Sequence, residues 1–447
     1  MLQPESAGRR VGAPRRLVGM TLVLLLAIGT WAYIAWLFEP AMERRSAGVS
    51  HLAGPDASDL YPRWRGTYAA LWEGRDPYSA AVTADIQQGF YGRPLRAGDS
   101  DSDQQAFAYP LTIIWLFAPL TLLPFALVKT AFYGLAPLLI ALSIAAWLRA
   151  LQWQGSKGTW WAWLLLGASS MAAVDATLLQ QPSILVTGLL AGAAASLTVG
   201  TPARGQARTA YYALAGVLLA LATVKPQIST LLLVWLMGWA LADFRRRWAL
   251  PAGTVATAVL LLGSTWLLQP GWVGRWLTQV AAYQQYALDR TILEWVVPVG
   301  LIQPLLAAAG LGLAVMAWRT RRAEPGDLGW RWMLGAICLY TVFIFPSWTA
   351  YNQLILAPTV ILLIQERHWF RTRGIIGRET VGIIMGLLIW PLIAATVLVS
   401  LWFIVIHLGG RPPDTLDRIV SLPWVTNLLL PLALCLPLAW LARRSAA

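Results

Sequence analysis

Residues 108–149 read AYPLTIIWLFAPLTLLPFALVKTAFYGLAPLLIALSIAAWLR, and the number of membrane crossings given to them decides the reading of everything downstream. A bilayer core takes about 20 apolar residues per spanning helix. These 42 residues therefore have the length of two crossings, with Pro124 and Lys129 near the turn. Two crossings would carry the triple Arg at 245–247, the run Arg319, Arg321 and Arg322, and the four Arg between 367 and 378 to the outer face. That opposes the rule that Lys and Arg concentrate in cytoplasmic loops. One full crossing over about 128–149, preceded by a broken or re-entrant segment on the outer side, keeps these residues inside. Irregular backbone at membrane depth is tolerated where it lines a cavity in the protein.

The composition agrees with a chain built for lipid. Of its 447 residues 57% are apolar and only 12% charged, about half the charged fraction of ordinary globular proteins. A water-soluble fold is excluded. Further apolar runs lie near 17–38, 159–200, 210–242, 249–268, 292–318, 332–364, 380–406 and 424–442. Each is long enough for one or two crossings. Together they lead us to expect about twelve transmembrane helices with both termini inside. Many of the 26 Trp, such as Trp160–Trp161 and Trp330–Trp332, fall at segment ends, where indole rings favour the lipid–water boundary.

A net charge of +13 is the first sign of a nucleic-acid surface, but sorting the charges by side removes that reading. The inside loops (1–16, 149–158, 201–209, 243–248, 319–331, 365–379 and 443–447) hold 21 Lys and Arg and 6 Asp and Glu. The rest of the chain holds 13 and 15. The basic excess is a matter of topology, and no nucleic-acid partner is expected. Cys338 and Cys435 lie in apolar segments without a spacing partner, and the three His at 51, 368 and 407 are scattered. No metal site is expected from them, and metal-independent chemistry follows as the expectation.

Residues 17–38 read as an uncleaved first helix, because no small-x-small cleavage site closely follows. Residues 39–107, with ten carboxylates and seven Arg, form the one long polar stretch and fall outside. Within it Leu60, Trp64, Tyr68 and Leu71 recur at helical spacing opposite Arg63 and Arg65, as in an amphipathic helix on a membrane surface. No internal repeat or domain boundary is visible. The expected organisation is one integral-membrane domain over 1–447, with a tail (1–16), the first helix, the outer loop, a bundle over 108–442 and a short tail (443–447).

Polar groups in apolar segments are costly, so each is a functional candidate. In this topology they gather on the outer side: Asp175, Gln180 and Gln181 end one helix, Lys225 and Gln227 flank Pro226, and Tyr351, Asn352 and Gln353 follow Ser347-Trp348. Plainer roles stand beside these. Lys225 can snorkel to the interface or pair with Asp175, the two Gln can satisfy helix-end carbonyls, Asp76 before Pro77 can cap a turn, and the DSDSD run at 99–103 reads as a solvated loop tip. A carboxylate beside a membrane and cations at a nearby rim suit transfer of a group from a lipid phosphate to a hydroxyl. The acceptor needs a general base, and the departing phosphate needs positive charge. Asp59 and Lys225 are suited to these tasks.

The order of elements resembles glycosyltransferase family 87. One helix is followed by an outer loop with Asp59 in Ser-Asp-Leu-Tyr and with Gly74-Arg75-Asp76-Pro77-Tyr78. Phe107-Ala108-Tyr109-Pro110, the Gln180-Gln181 turn and Lys225-Pro226-Gln227 come next, and the resemblance spans roughly residues 15–365. It implies an all-α polytopic bundle of the GT-C superfamily, in the plasma membrane, with its long first loop and active site on the extracytoplasmic side. It implies transfer of a sugar, typically mannose, from a polyprenyl-phosphate donor to a lipid-linked or glycan acceptor with inversion. Asp59 would be the catalytic base; Lys225, Gln227, Gln181, Arg63, Tyr109, Tyr351 and Asn352 would bind substrate. The chain departs from the family pattern at Leu111 (a second Pro is expected), at Gln180-Gln181-Pro182-Ser183 (Gly-Gln-x-Asn) and at Tyr351-Asn352 (Tyr-Asp). A transporter or flippase of lipid-linked sugars is the rival reading, and internal repeats would mark it.

Overall fold

The computed structural model describes residues 13–38, 40–41, 57–96, 99, 103–286, 291–344, 349–372, 374–408 and 419–445. The expectations that fall on residues 1–12, 42–56, Ser347-Trp348 and 446–447 lie outside them. Among the described residues every regular element is helical.

The decisive stretch resolves into two parts. Residues 111–122 form a broken segment, Leu111–Ile113 and Ala118–Leu122 as 3-10 turns around one α turn at Ile114–Phe117. The backbone then extends through Leu123 and Pro124. A single 26-residue helix, Phe125–Ala150, follows, about 39 Å long at 1.5 Å per residue. Broken turns leave carbonyls that a regular helix would satisfy. Here the loop before it supplies a donor: the Trp64 indole N–H donates to the Leu120 carbonyl at 3.1 Å, while Trp72 donates to the Thr121 hydroxyl at 2.9 Å.

Seven described helices are long and apolar enough to cross a membrane, or eight if the bent pair Lys157–Ala168 and Met171–Leu178 makes one span. This is a multi-pass membrane protein in which seven or eight described helices have the length of a full crossing, against about twelve expected. Pro226–Leu241, Leu328–Ile344 and Ala350–Gln365 are apolar yet short. Gly205–Ala222 begins with Gln206, Arg208 and Thr209, which makes its first turns polar. The short helices supply residues to a polar cavity, so part of their apolar run is spent on lining it. The outer surface is what lipid requires: Leu301, Leu305, Leu311 and Val315 on one helix, and Leu127, Leu135, Leu138 and Leu142 on another, are all exposed.

The expected loop helix forms, and a second follows it. Tyr61–Trp72 has Pro in its first turn. Ala80–Tyr91 is capped by the Ser79 hydroxyl, which accepts the Val82 N–H, and ends at Gly92 with φ +75°. The two Arg of the first helix do not share a solvent face, however. Arg65 reaches Glu73 and Asp85 at 3.0 and 2.7 Å, whereas Arg63 turns inward beneath the Tyr109 ring, 4.4 Å from its centre.

The basic loops gather at one end of the bundle. Arg247 is buried there, donating to the carbonyls of Trp239 and Arg321 and pairing with Glu324 at 3.2 Å. Arg331 and Arg444 both meet Glu366. Pro226–Leu241 runs from Lys225 at the polar cavity to this basic end. Two helices cross closely at glycines: a Cβ on Gly216 would lie 2.3 Å from the Leu250 carbonyl oxygen, and one on Gly253 2.5 Å from that of Ala213. Such backbone approach is how helices associate in lipid. Gly216→Val is therefore expected to lower thermal stability by about 1–3 kcal/mol through overpacking. Gly263→Ala, where a Cβ meets nothing within 4 Å, should be neutral; thermal unfolding in detergent compares the two.

Candidate active site

At the end away from the basic loops a cavity of about 840 Å³ opens among the outer loop, the Gln180-Gln181 turn, the start of Pro226–Leu241 and the Ala350–Leu356 segment. Asp59, Arg63, Tyr109, Gln181, Lys225, Gln227, Tyr351 and Asn352 all line it, whereas Asp175, Gln180 and Gln353 do not.

Asp59 sits just before the Tyr61–Trp72 helix, on a strand of backbone held from three sides. Ser58 accepts the Leu60 N–H at 3.1 Å and donates to the Gln180 amide oxygen. Lys129 donates to the Ala57 carbonyl at 3.2 Å, and the Gln180 amide donates to the Lys129 carbonyl at 2.7 Å. Gln180 makes these contacts from a left-handed backbone, φ +54°, a conformation that persists in a non-glycine residue when its surroundings hold it. The Gln181 side-chain N–H donates to Asp59 Oδ2, and Arg63 donates to the Asp59 backbone carbonyl. Burial pushes the Asp59 carboxyl above the usual carboxylate range, and Asp103 adds to this; Arg63, Lys225 and the Gln181 bond pull the other way. A carboxylate raised by desolvation is a better proton acceptor than one in water.

Lys225 is 3% exposed, so it does not snorkel. Its Nζ donates to Ser183 Oγ and, at 3.2 Å, to Asn352 Oδ1, and it lies over the Tyr351 ring at 4.8 Å. Asn352 is oriented in turn by donating to Thr349 Oγ1 at 2.8 Å. The lysine is thus held by a hydroxyl and an amide oxygen, and among the described residues no carboxylate lies at ion-pair distance from it. A buried cation with neutral partners is prepared for an anionic ligand. Asp175 does not fill that place. It accepts the Tyr351 backbone N–H at 3.1 Å and so anchors the segment that carries Tyr351 and Asn352.

Asp76 proves structural: it accepts the Tyr78 N–H at 3.1 Å and pairs with Arg275 at 2.9 Å. The acidic run at 99–103 divides. Asp99 is gripped by Arg93 at 2.7 Å, which lowers its carboxyl to about 2, whereas Asp103 lines the cavity. Reading the run as one solvated tip missed this; the available signal was the short distance in sequence from Asp103 to Tyr109. Among the described residues no three His, Cys, Asp or Glu side chains cluster as metal ligands would.

The fold and this site define a class: a multi-pass helical membrane protein with a charged, partly enclosed cavity at the end of its bundle opposite the basic loops. The model of glycosyltransferase family 87 matches residues 107–346, more than half of the chain. The chain belongs to that family and is a membrane glycosyltransferase. The matched span includes Tyr109, Gln181, Lys225 and Gln227, whereas Asp59, Arg63, Tyr351 and Asn352 lie outside it. No curated protein and no solved structure matches the chain.

Proposed function

We propose that this chain transfers a hexose, in the first instance mannose, from a polyprenyl-phosphate donor to a hydroxyl of a lipid-linked or cell-envelope glycan acceptor, as a GT-C-type enzyme of the plasma membrane acting on the extracytoplasmic side. The observation that carries this reading is the convergence of Asp59 and Lys225 on one cavity. The acceptor oxygen attacks the anomeric carbon as the bond from that carbon to the phosphate oxygen breaks. The hydroxyl proton passes to the Asp59 carboxylate, and the bonding electrons leave with polyprenyl phosphate. Lys225, held by Ser183 and Asn352, meets the growing phosphate charge, and Arg63 adds positive potential beside Asp59. In a single displacement of this kind the sugar inverts. The outer location of the site rests on the basic loops gathering at the opposite end.

A second cavity, about 650 Å³ and almost wholly apolar, supports the lipid-linked donor. Its lining begins at Leu231 and Tyr340, next to Thr230 and Thr341 of the first cavity, and follows Pro226–Leu241 to Trp239 and Leu241. An isoprenoid chain whose phosphate rests at Lys225 would find this apolar groove along the helix that Lys225 precedes. Gly238 lines this groove and a Cβ on it meets nothing within 4 Å. Gly238→Phe is expected to raise KM for a long-chain donor by roughly tenfold, the loss of about 1.4 kcal/mol of tail burial. It should leave a short-chain donor unaffected, and initial rates with the two donors check this.

The function is tested by incubating the purified protein in vesicles with EDTA, a panel of polyprenyl-phosphate sugars and an alkyl glycoside acceptor. Glycosylated acceptor and free polyprenyl phosphate in equal amounts are expected. Movement of the intact donor across the bilayer without either product would establish a flippase instead.

A further inference from the structure

The cavity holds a second carboxylate that the reaction above does not use. The wall carrying it, residues 103–110, is fixed from several helices. Gln87 donates to the Gln104 carbonyl at 2.9 Å, Tyr91 to the Asp103 carbonyl at 2.6 Å, Tyr78 to the Tyr109 carbonyl at 2.8 Å and Trp276 to the Ala108 carbonyl at 3.2 Å. Gly66 lets the Phe107 ring lie directly on the Tyr61–Trp72 helix, since a Cβ there would come within 2.2 Å of the ring. Asp103 Oδ1 accepts the Gln105 N–H at 2.9 Å. Its other oxygen has no hydrogen-bond partner among the described residues, and the side chain borders the cavity.

The charges of the cavity are ordered. Lys225, with Ser183 and Asn352, forms a cationic end. Asp59 interacts with Lys225, with Arg63 and with Asp103, whereas the cation that Asp103 interacts with is Arg63. Asp103 is fixed to the loop helix Ala80–Tyr91 through Gln87 and Tyr91, whereas Lys225 is fixed to Ser183 and Asn352. Two carboxylates near each other repel a phosphate group, so the ligand atoms they favour are hydroxyl donors. In a single displacement the nucleophile approaches opposite the leaving phosphate, so a carboxylate of this cavity held by a different wall from Lys225 is suited to the acceptor.

We infer that Asp103 is a specificity-determining residue that accepts hydrogen bonds from hydroxyls of the acceptor, selecting a polyhydroxylated acceptor and presenting its reacting hydroxyl to Asp59. This rests on the glycosyl-transfer reading of the same cavity. A carboxylate oxygen accepting from a neighbouring pair of hydroxyls fixes the orientation of a sugar ring that Asp59 alone would leave free to turn.

The test compares wild type with Asp103→Asn, in which the amide oxygen can still accept the Gln105 N–H, using octyl α-mannoside as acceptor probe. Direct binding of the probe is followed by tryptophan fluorescence, and initial rates are measured against probe and donor separately. We expect probe affinity to fall roughly tenfold or more, as for a lost charge-assisted hydrogen bond. Acceptor KM should rise in step, with donor KM and thermal midpoint unchanged. Unchanged probe affinity, or a rise confined to donor KM, would overturn the assignment. Because binding is read without turnover, a wild type that binds the probe through Asp103 but transfers nothing would refute the reaction while leaving Asp103 in place.

Discussion

Asp59→Asn is expected to lower kcat for sugar transfer by about 10³-fold, within the 10²–10⁴-fold range typical of a lost general base. Asparagine has nearly the shape of aspartate, and its amide oxygen can still accept the Gln181 N–H that Asp59 Oδ2 accepts. The loop anchors through Ser58, Gln180 and Lys129 do not involve the carboxylate. Folding and donor binding should therefore survive, and only the proton acceptor is lost. The same residue sets the acidic limb of the pH profile. Burial raises its carboxyl above the ordinary range, and the base must be ionised to act. The kcat of the wild type accordingly falls as pH drops through this raised value, at a higher pH than an exposed aspartate would give. A pH–rate series on wild type, with single-turnover rates and donor binding on the variant, checks both statements. Variant activity within tenfold of wild type would remove Asp59 from the chemistry.

Lys225→Met is expected to have the second-largest effect. Methionine keeps the apolar stem but withdraws the ammonium from Ser183 and Asn352. The charge is absent when the phosphate departs, and loss of one preorganised donor to developing negative charge costs about 10²–10³ in kcat. Donor KM should rise as well, because the same ammonium meets the ground-state phosphate. Acceptor affinity should not change, which separates this variant from Asp103→Asn. If Lys225→Met lowered the thermal midpoint and left kcat and donor KM intact, the lysine would be a structural bridge between two segments. Steady-state kinetics beside thermal unfolding distinguishes the outcomes.

Much of this is legible in the amino-acid sequence. The prolines and Lys129 within 108–149, set against the side of the membrane on which the downstream Arg must fall, imply a broken segment followed by one crossing. The structure has 111–122 and Phe125–Ala150 in that order. The same charge sorting implies that Asp59, Gln181, Lys225 and Asn352 converge, and one cavity holds them. Helix number was less legible, because hydropathy cannot tell a run that faces lipid throughout from one that ends in a cavity wall. Pro226–Leu241 and Leu328–Ile344 are of the second kind. Local spacing misled at Arg63, whose helical position resembles that of Arg65 but whose guanidinium is drawn under Tyr109. It also misled at Asp103, identical in local pattern to Asp99 until the wall 103–110 is docked against the surrounding helices. Asp175, an apparent partner for Lys225, instead holds the Tyr351 backbone N–H. That contact joins residues 176 positions apart in the chain, a distance no local pattern encodes.

The central claim is a single displacement from a polyprenyl-phosphate sugar with Asp59 as base. It is tested most directly by the anomeric configuration of the product, read by NMR after the purified enzyme has acted on a polyprenyl-phosphate mannose of known configuration. A glycoside of inverted configuration is expected. A product of retained configuration would require a covalent or otherwise two-step route and would contradict it.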